Sequence, residues 1–93
     1  MSELKLLHRE AEKALNQGLY KKAHKYLMSI LQQDKHFADA YFLLAMIASA
    51  HHNITKAIEL IQQAHTLEPK NLEYLSQLAK HFALANNHVK AFH

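Results

Sequence analysis

The sequence has no cysteine and no tryptophan, and it has one glycine and one proline in 93 residues. Without cysteine the chain forms no disulfide, no thiolate metal site and no cysteine nucleophile. β-Branched residues are also scarce, whereas alanine and leucine together account for 29 residues. Because sheets favour β-branched residues and helices favour alanine and leucine, the composition predicts an all-α chain.

The sequence also has no long apolar run. Its longest uncharged stretch, residues 40–55, includes two histidines and an asparagine, and it is shorter than the roughly 20 apolar residues that a spanning helix needs. The first five residues carry Glu3 and Lys5 and lack an apolar signal region. The length predicts a single domain, residues 1–93. We expect a soluble, cytoplasmic protein with no membrane partner.

Small and large residues recur at an interval of 34 residues. The recurring small residues are Ala11, Ala45 and Ala79, and again Ala23, Ala57 and Ala91. A large residue recurs at Leu7, Tyr41 and Leu75. Several positions that share one interval indicate an internal repeat more strongly than any single match does.

Each period contains two amphipathic helical patterns. They predict helices near residues 2–16, 19–33, 39–50, 54–67 and 72–85, and from 88 onward. The predicted joints lie at Gln17-Gly18, His52-Asn53 and Asn86-Asn87, because glycine and asparagine adopt positive φ at little cost. Pro69 ends the fourth helix, and Asn71 is expected to cap the fifth.

The central unit, residues 38–71, resembles the tetratricopeptide repeat, whose period is 34 residues. The matching residues are Tyr41, Leu44, Ala45, Ala57, Ile61, Ala64 and Pro69. The first unit departs from the family pattern at Glu10, Ile30 and Lys35. The chain is thus similar to about two and a half repeats, with units 4–37, 38–71 and a shortened 72–93. The resemblance implies a right-handed superhelix of antiparallel helix pairs.

The resemblance also implies a function, that of a non-catalytic protein–protein interaction scaffold. The shortened third unit suggests that the chain is a fragment of a longer protein. In the family, the first helix of each repeat lines a concave face that binds a peptide or a neighbouring domain. The matching positions are Lys5, His8, Glu12, Asn16, Asp39, Phe42, Met46, Ser49, Glu73, Ser76, Lys80 and Ala83. Phe42 and Met46 form a candidate contact patch, or else pack within the array.

Some family members bind a C-terminal carboxylate through basic and amide side chains. The matching positions are His8, Glu12, Ser76 and Lys80. Only Lys80 is compatible with that role, so the sequence predicts against a carboxylate-clamp adaptor.

Two other surfaces give alternative functions. The third unit has no capping helix over its apolar face, which suggests a homodimer formed through Leu75, Leu78, Phe82 and Phe92. Lys21, Lys22 and Lys25 could contact nucleic-acid phosphates. Carboxylates lie nearby in sequence and no aromatic set is interleaved with these lysines, so a solvated lysine face is the favoured interpretation.

We expect no enzyme activity, no cofactor and no metal site within one chain. The nine histidines include no pair four residues apart and no HExxH motif. His65 with Glu68 is a weak pair, and a metal bridging two chains through His51-His52 or His88/His93 is a minor alternative. The serines lack the glycine-rich turn that positions a nucleophile.

Overall fold

The computed structural model describes the backbone of residues 3–91 and the side chains of residues 3–86. Five helices follow one another: α1 (Glu3–Asn16), α2 (Tyr20–Gln33), α3 (Ala38–Ala50), α4 (Ile54–Leu67) and α5 (Leu72–Ala91). Residues 3–91 contain no strand. α1 packs on α2, α3 packs on α4, and each pair packs on the next helix along the chain. The chain measures 51 × 29 × 18 Å, and the predicted all-α solenoid is confirmed.

The core lies within the two helix pairs and between them. Ala11, Ala45 and Ala57 are completely buried, and so are the large side chains of Leu27 and Ile61. Alanine at these positions lets two helix backbones approach closely, and the larger residues fill the space on either side. The repeat register therefore sets which residues form the core of the paired helices.

The first two turns lie where the sequence predicts them. Gly18 has φ +75°, and a Cβ added there would meet no atom within 4 Å. In the second turn, however, the left-handed residue is His52, with φ 63°, and not Asn53. The Asn53 side chain instead accepts a hydrogen bond from the Lys56 backbone N–H at 3.2 Å. Asn53 therefore serves as the N-cap of α4, and its neighbour takes the positive φ.

The boundary between α4 and α5 also follows its sequence signals. Glu68, which precedes Pro69, leaves the helical region with φ −134° and ψ 76°, as expected of a residue before proline. The Asn71 side-chain oxygen accepts hydrogen bonds from the backbone N–H groups of Glu73 at 3.0 Å and Tyr74 at 3.2 Å. The predicted cap of the fifth helix is confirmed.

The predicted break at Asn86-Asn87 is wrong, because α5 continues through it to Ala91. Asparagine permits a turn but does not force one, and helix continuation keeps the backbone hydrogen bonds that a turn would give up. Ala79 and Ala91 therefore lie on one helix and cannot form the close crossing of a third antiparallel pair. Ala79 is exposed, unlike its counterparts Ala11 and Ala45.

Candidate functional site

Asp39, on α3, links α3 to both α1 and α5. The Nε2–H group of His8, on α1, donates to Asp39 Oδ2 at 2.5 Å. From the other side, the Tyr74 hydroxyl on α5 donates to Asp39 Oδ1 at 2.9 Å. Tyr74 is 2% exposed, and its pKa is raised by burial first and then by the hydrogen bond and charge of Asp39. The hydroxyl therefore keeps its proton and remains a donor.

A second polar link joins α3 to α5 at the other end of α3. His81 Nδ1–H donates to the Gln77 carbonyl at 2.7 Å. This leaves Nε2 to accept from the Ser49 hydroxyl at 3.0 Å. His81 is the one buried polar residue in the described part of the chain, and both of its ring nitrogens are hydrogen-bonded there. Two side-chain contacts, far apart along α3, thus link α5 to α3, in addition to the packing of α5 on α4.

The predicted peptide-binding positions other than Phe42 form a surface that we name the first-helix surface. Its residues are less exposed at the centre than at the edges. On α3, Asp39, Met46 and Ser49 are half-buried, and on α1 so is His8. The exposed members on the flanking helices are Lys5, Glu12, Asn16, Glu73, Ser76, Lys80 and Ala83. The half-buried α3 thus lies between more exposed neighbours, and we name it the floor of the first-helix surface.

The structure places Phe42 in the core and not on this surface. Its side chain is 6% exposed, and its ring centroid lies 4.8 Å from that of Tyr74. Met46 is half-buried and packs against the core. Phe42 therefore adds little exposed area, and of the predicted patch only Met46 reaches the surface.

One end of the first-helix surface opens into a depression of about 470 Å³, which we name the acidic depression. It is lined by His8, Asp34, His36, Phe37, Ala38, Asp39, Glu68, Asn71 and Tyr74. Glu12 lies beside it, with its Oε1 3.7 Å from His8 Nδ1. The lining residues include three carboxylates and no lysine or arginine, although the chain as a whole carries a net charge of +3.

The predicted basic cluster lies on α2, beside the end of α3. Lys21 and Lys25 line a depression of about 360 Å³ together with Tyr20, His24, Ile47 and His51. The rings of Tyr20 and His51 are in edge contact, with centroids 5.2 Å apart. Lys22 also lines a small depression that contains Glu10. Tyr20 and His24 are sequence neighbours of these lysines, whereas the ring of His51 reaches them only through the packing of α3 on α2.

Of the four predicted self-association residues, Leu75 and Phe82 lie on the exposed side of α5, which we name its open side. Leu75 is 47% exposed and Phe82 is 48% exposed. Leu78 is half-buried against the core, and Phe92 lies outside the described residues. Along the described helices, none is both long enough and apolar enough to cross a membrane.

Sequence reasoning missed two residues that build the first-helix surface, Tyr74 and His81. The register assigned surface positions to their neighbours Glu73 and Lys80, and only the packing of α5 on α3 brings Tyr74 and His81 to their partners. The pairing of His8 with Glu12, in contrast, could have been found. A histidine and a glutamate four residues apart lie on the same face of a helix, so the spacing of His8 and Glu12 alone indicates their contact.

Successive antiparallel helix pairs that pack in one direction define an α-solenoid, the architecture of helical-repeat proteins. A family profile described as "Tetratricopeptide repeat" matches residues 14–80, which is more than half of the chain. The chain belongs to the tetratricopeptide repeat family.

Two solved structures are similar to this chain, each with a TM-score of 0.80 and 24% sequence identity. One is described as "MamA RS-1 ArsTM double mutant", and the other as MamA from residue 41 to its end, from Desulfovibrio magneticus RS-1. Each alignment covers 97% of this chain and 51% of the other. The chain thus spans about half the length of these relatives, and at this identity the likeness shows the fold alone. No curated protein sequence matches the chain.

Proposed function

We propose that the chain is a non-catalytic scaffold that binds a peptide, or a neighbouring domain, through its first-helix surface. The tetratricopeptide repeat fold supports a protein-interaction scaffold in general, since solenoids of this kind present extended concave binding surfaces. One observation carries the finer proposal: Asp39 is hydrogen-bonded to His8 on one side and to Tyr74 on the other. These bonds hold three first helices as one preorganised surface, which lowers the entropy cost of binding. A cytoplasmic location remains part of this proposal.

The charges on this surface indicate what kind of peptide it accepts. Lys5 and Lys80 lie on its outer helices, as do Glu12 and Glu73, and all four are exposed. Near His8 the charge is acidic, because Asp39 and Glu12 both approach that ring. A terminal carboxylate would be repelled there, which supports the prediction against a carboxylate clamp. Met46 provides an adaptable apolar contact at the floor.

A selection from a random peptide library displayed on phage, with the chain as target, tests this proposal. Affinities of the selected peptides are then measured by fluorescence anisotropy. We expect Ser76→Arg, on the first-helix surface, to weaken binding at least 10-fold, because it places a long charged side chain beside the floor. Gln63→Arg is the matched control, since Gln63 is exposed on α4 and the change adds the same charge. Equal binding by both variants, or a failure to select any peptide, would contradict the proposal.

Self-association is a second candidate function, favoured by the open side of α5. Leu75, Ala79 and Phe82 are exposed at i, i+4 and i+7 spacing, so they form one apolar stripe along the helix. In a repeat array the next helix pair covers such a stripe, and a second copy of the chain would cover it equally well.

Light scattering over a range of concentrations tests self-association. If the chain self-associates through α5, the wild-type mass will rise with concentration and Leu75→Lys will remain monomeric. Leu84→Lys is the control, because Leu84 is 48% exposed but lies about 180° around the helix from Leu75. A wild-type mass that stays monomeric at all concentrations would rule this function out.

A further inference from the structure

We propose that His8, Glu12 and Asp39 bind one divalent transition-metal ion of the Zn²⁺ class. One potential ligand atom from each of the three side chains lies within 4.8 Å of the other two. The site would occupy the edge of the acidic depression. The proposal is independent of peptide binding, because metal binding can be measured with no peptide present.

Two of the ligands, His8 and Glu12, lie on α1. The third, Asp39, is brought to them by the packing of α3 on α1. His8 and Glu12 are four residues apart, so they lie on the same face of α1. Asp39 stands in the first turn of α3. A helix that supplies two ligands and a packed neighbour that supplies the third give a more rigid arrangement than ligands on loops.

His8 and Asp39 need only a small movement to accept an ion, whereas Glu12 needs a side-chain rotation. His8 Nε2 lies 2.5 Å from Asp39 Oδ2, with a proton between them. In a tetrahedral zinc site with bonds of about 2.0–2.2 Å, two ligand atoms lie roughly 3.4 Å apart. The ion would therefore take the place of that proton once the two groups separate by about 1 Å. Glu12 Oε1 lies 3.7 Å from the other ring nitrogen of His8, Nδ1, and the Glu12 side chain is 50% exposed, so it can rotate towards an ion at Nε2.

The surrounding contacts orient the ligands as outer-sphere groups do in metal sites. Tyr74 donates to Asp39 Oδ1, which directs Oδ2 towards His8. The His8 ring is also in contact with the Phe37 ring, with centroids 5.4 Å apart, and this contact limits its rotation. Hydrogen bonds to a ligating carboxylate are a regular feature of protein metal sites, and losing one typically costs about 10- to 100-fold in affinity.

The charge and chemistry of the neighbourhood indicate the class of ion. Asp34 and Glu68 add two carboxylates to the acidic depression, and no lysine or arginine lines it to compete for them. An imidazole combined with carboxylates suits Zn²⁺ and similar borderline cations, whereas Mg²⁺ and Ca²⁺ prefer oxygen ligands alone. Three protein ligands leave one coordination position for water or another group.

Isothermal titration calorimetry of the 93-residue chain with ZnCl₂ tests the proposal. We expect one ion per wild-type chain, binding at least 100-fold weaker in His8→Gln, and no heat from MgCl₂. Tyr74→Phe, which removes only the outer hydrogen bond, should weaken binding by about 10- to 100-fold. If His8→Gln unfolds by circular dichroism, Glu12→Gln still tests the site, because Glu12 is exposed and its change should leave the fold intact.

The control variant carries His51→Gln and His52→Gln, which remove a pair of exposed histidines on the turn after α3. It should bind Zn²⁺ as tightly as the wild type. Three results would each overturn the assignment: no wild-type binding at millimolar Zn²⁺, binding that is unchanged in both His8→Gln and Glu12→Gln, or binding that is lost in the control.

Discussion

Ala45 and Ala79 hold the same place in the 34-residue register, yet Ala45 is completely buried and Ala79 is exposed. The helices that carry them differ in their partners. α4 folds back onto α3, whereas α5 continues as one helix to Ala91. An alanine at this position of the repeat permits close helix packing but does not by itself produce it. A second helix must return along the first before that alanine contributes to the core.

The largest expected difference in stability is between two truncations of aliphatic side chains, one on α4 and one on α5. Ile61→Ala, at a completely buried position on α4, should lower the free energy of unfolding by about 2–5 kcal/mol, from lost burial and the cavity left behind. Leu75→Ala, on the open side of α5, should cost about 1 kcal/mol or less, because that side chain is already half in water. Urea unfolding measures both. Equal losses would mean that α5 is covered in solution.

The hydrogen bond between Tyr74 and Asp39 attaches α5 to the paired helices. Tyr74→Phe removes the hydroxyl that donates to the Asp39 carboxylate, and we expect a loss of about 1.5–3 kcal/mol, as for hydrogen bonds to charged groups. In Tyr41→Phe, the matched control, the lost bond goes to the Lys35 carbonyl in an exposed setting, and the cost should be about 0.5–1 kcal/mol. If thermal unfolding shows the same loss of stability for both variants, the hydrogen bond to Asp39 does not stabilise the attachment of α5.

Enlarging the two alanines tests the register comparison itself. Ala45→Leu should destabilise the chain by about 1–3 kcal/mol, since it forces extra volume into a packed crossing. Ala79→Leu should change stability by no more than about 0.5 kcal/mol, because its side chain meets water. Chemical denaturation of the two variants provides the measurement. A large loss for Ala79→Leu would show that a helix or a second chain packs there.

The smallest effects belong to the two turns with positive φ, at Gly18 and His52. Gly18→Ala should cost about 1–2 kcal/mol from backbone conformation, because an added Cβ meets no atom within 4 Å. His52→Gly should stabilise the chain by up to about 1 kcal/mol, since glycine adopts positive φ freely. Melting temperatures that move in opposite directions would support this account, and a fall for both variants would contradict it.

The sequence predicted most of the fold because helix signals are local. Apolar residues spaced three and four apart located the helices, and Asn71 and Pro69 marked the boundary before α5. The errors came where local signals permit two outcomes. Asn86-Asn87 tolerates both a turn and a helix, and at His52-Asn53 either residue could have taken the positive φ. Those choices depend on capping and on what packs against the segment.

The sequence predicted which residues lie on the candidate site, but it did not predict the contacts between them. His8, Asp39 and Ser49 were assigned to one surface, but no sequence interval shows that His8 and Tyr74 both hydrogen-bond to Asp39. The sequence predicts Phe42 either as a peptide contact or as packed within the array. Its burial against Tyr74 results from the position of α5 beside α3. Contacts between repeats depend on the rotation of each helix about its axis, which a repeat period does not specify.

The most direct test of the central claim is chemical-shift mapping of a library-selected peptide on the ¹⁵N-labelled chain. If the first-helix surface is the binding site, the backbone amides of Met46, Ser76 and Lys80 will shift, and those on the outer face of α4 will not. Shifts concentrated at Lys21 and Lys25, or at Leu75 and Phe82, would contradict the claim and assign the function to the basic cluster or to the open side of α5.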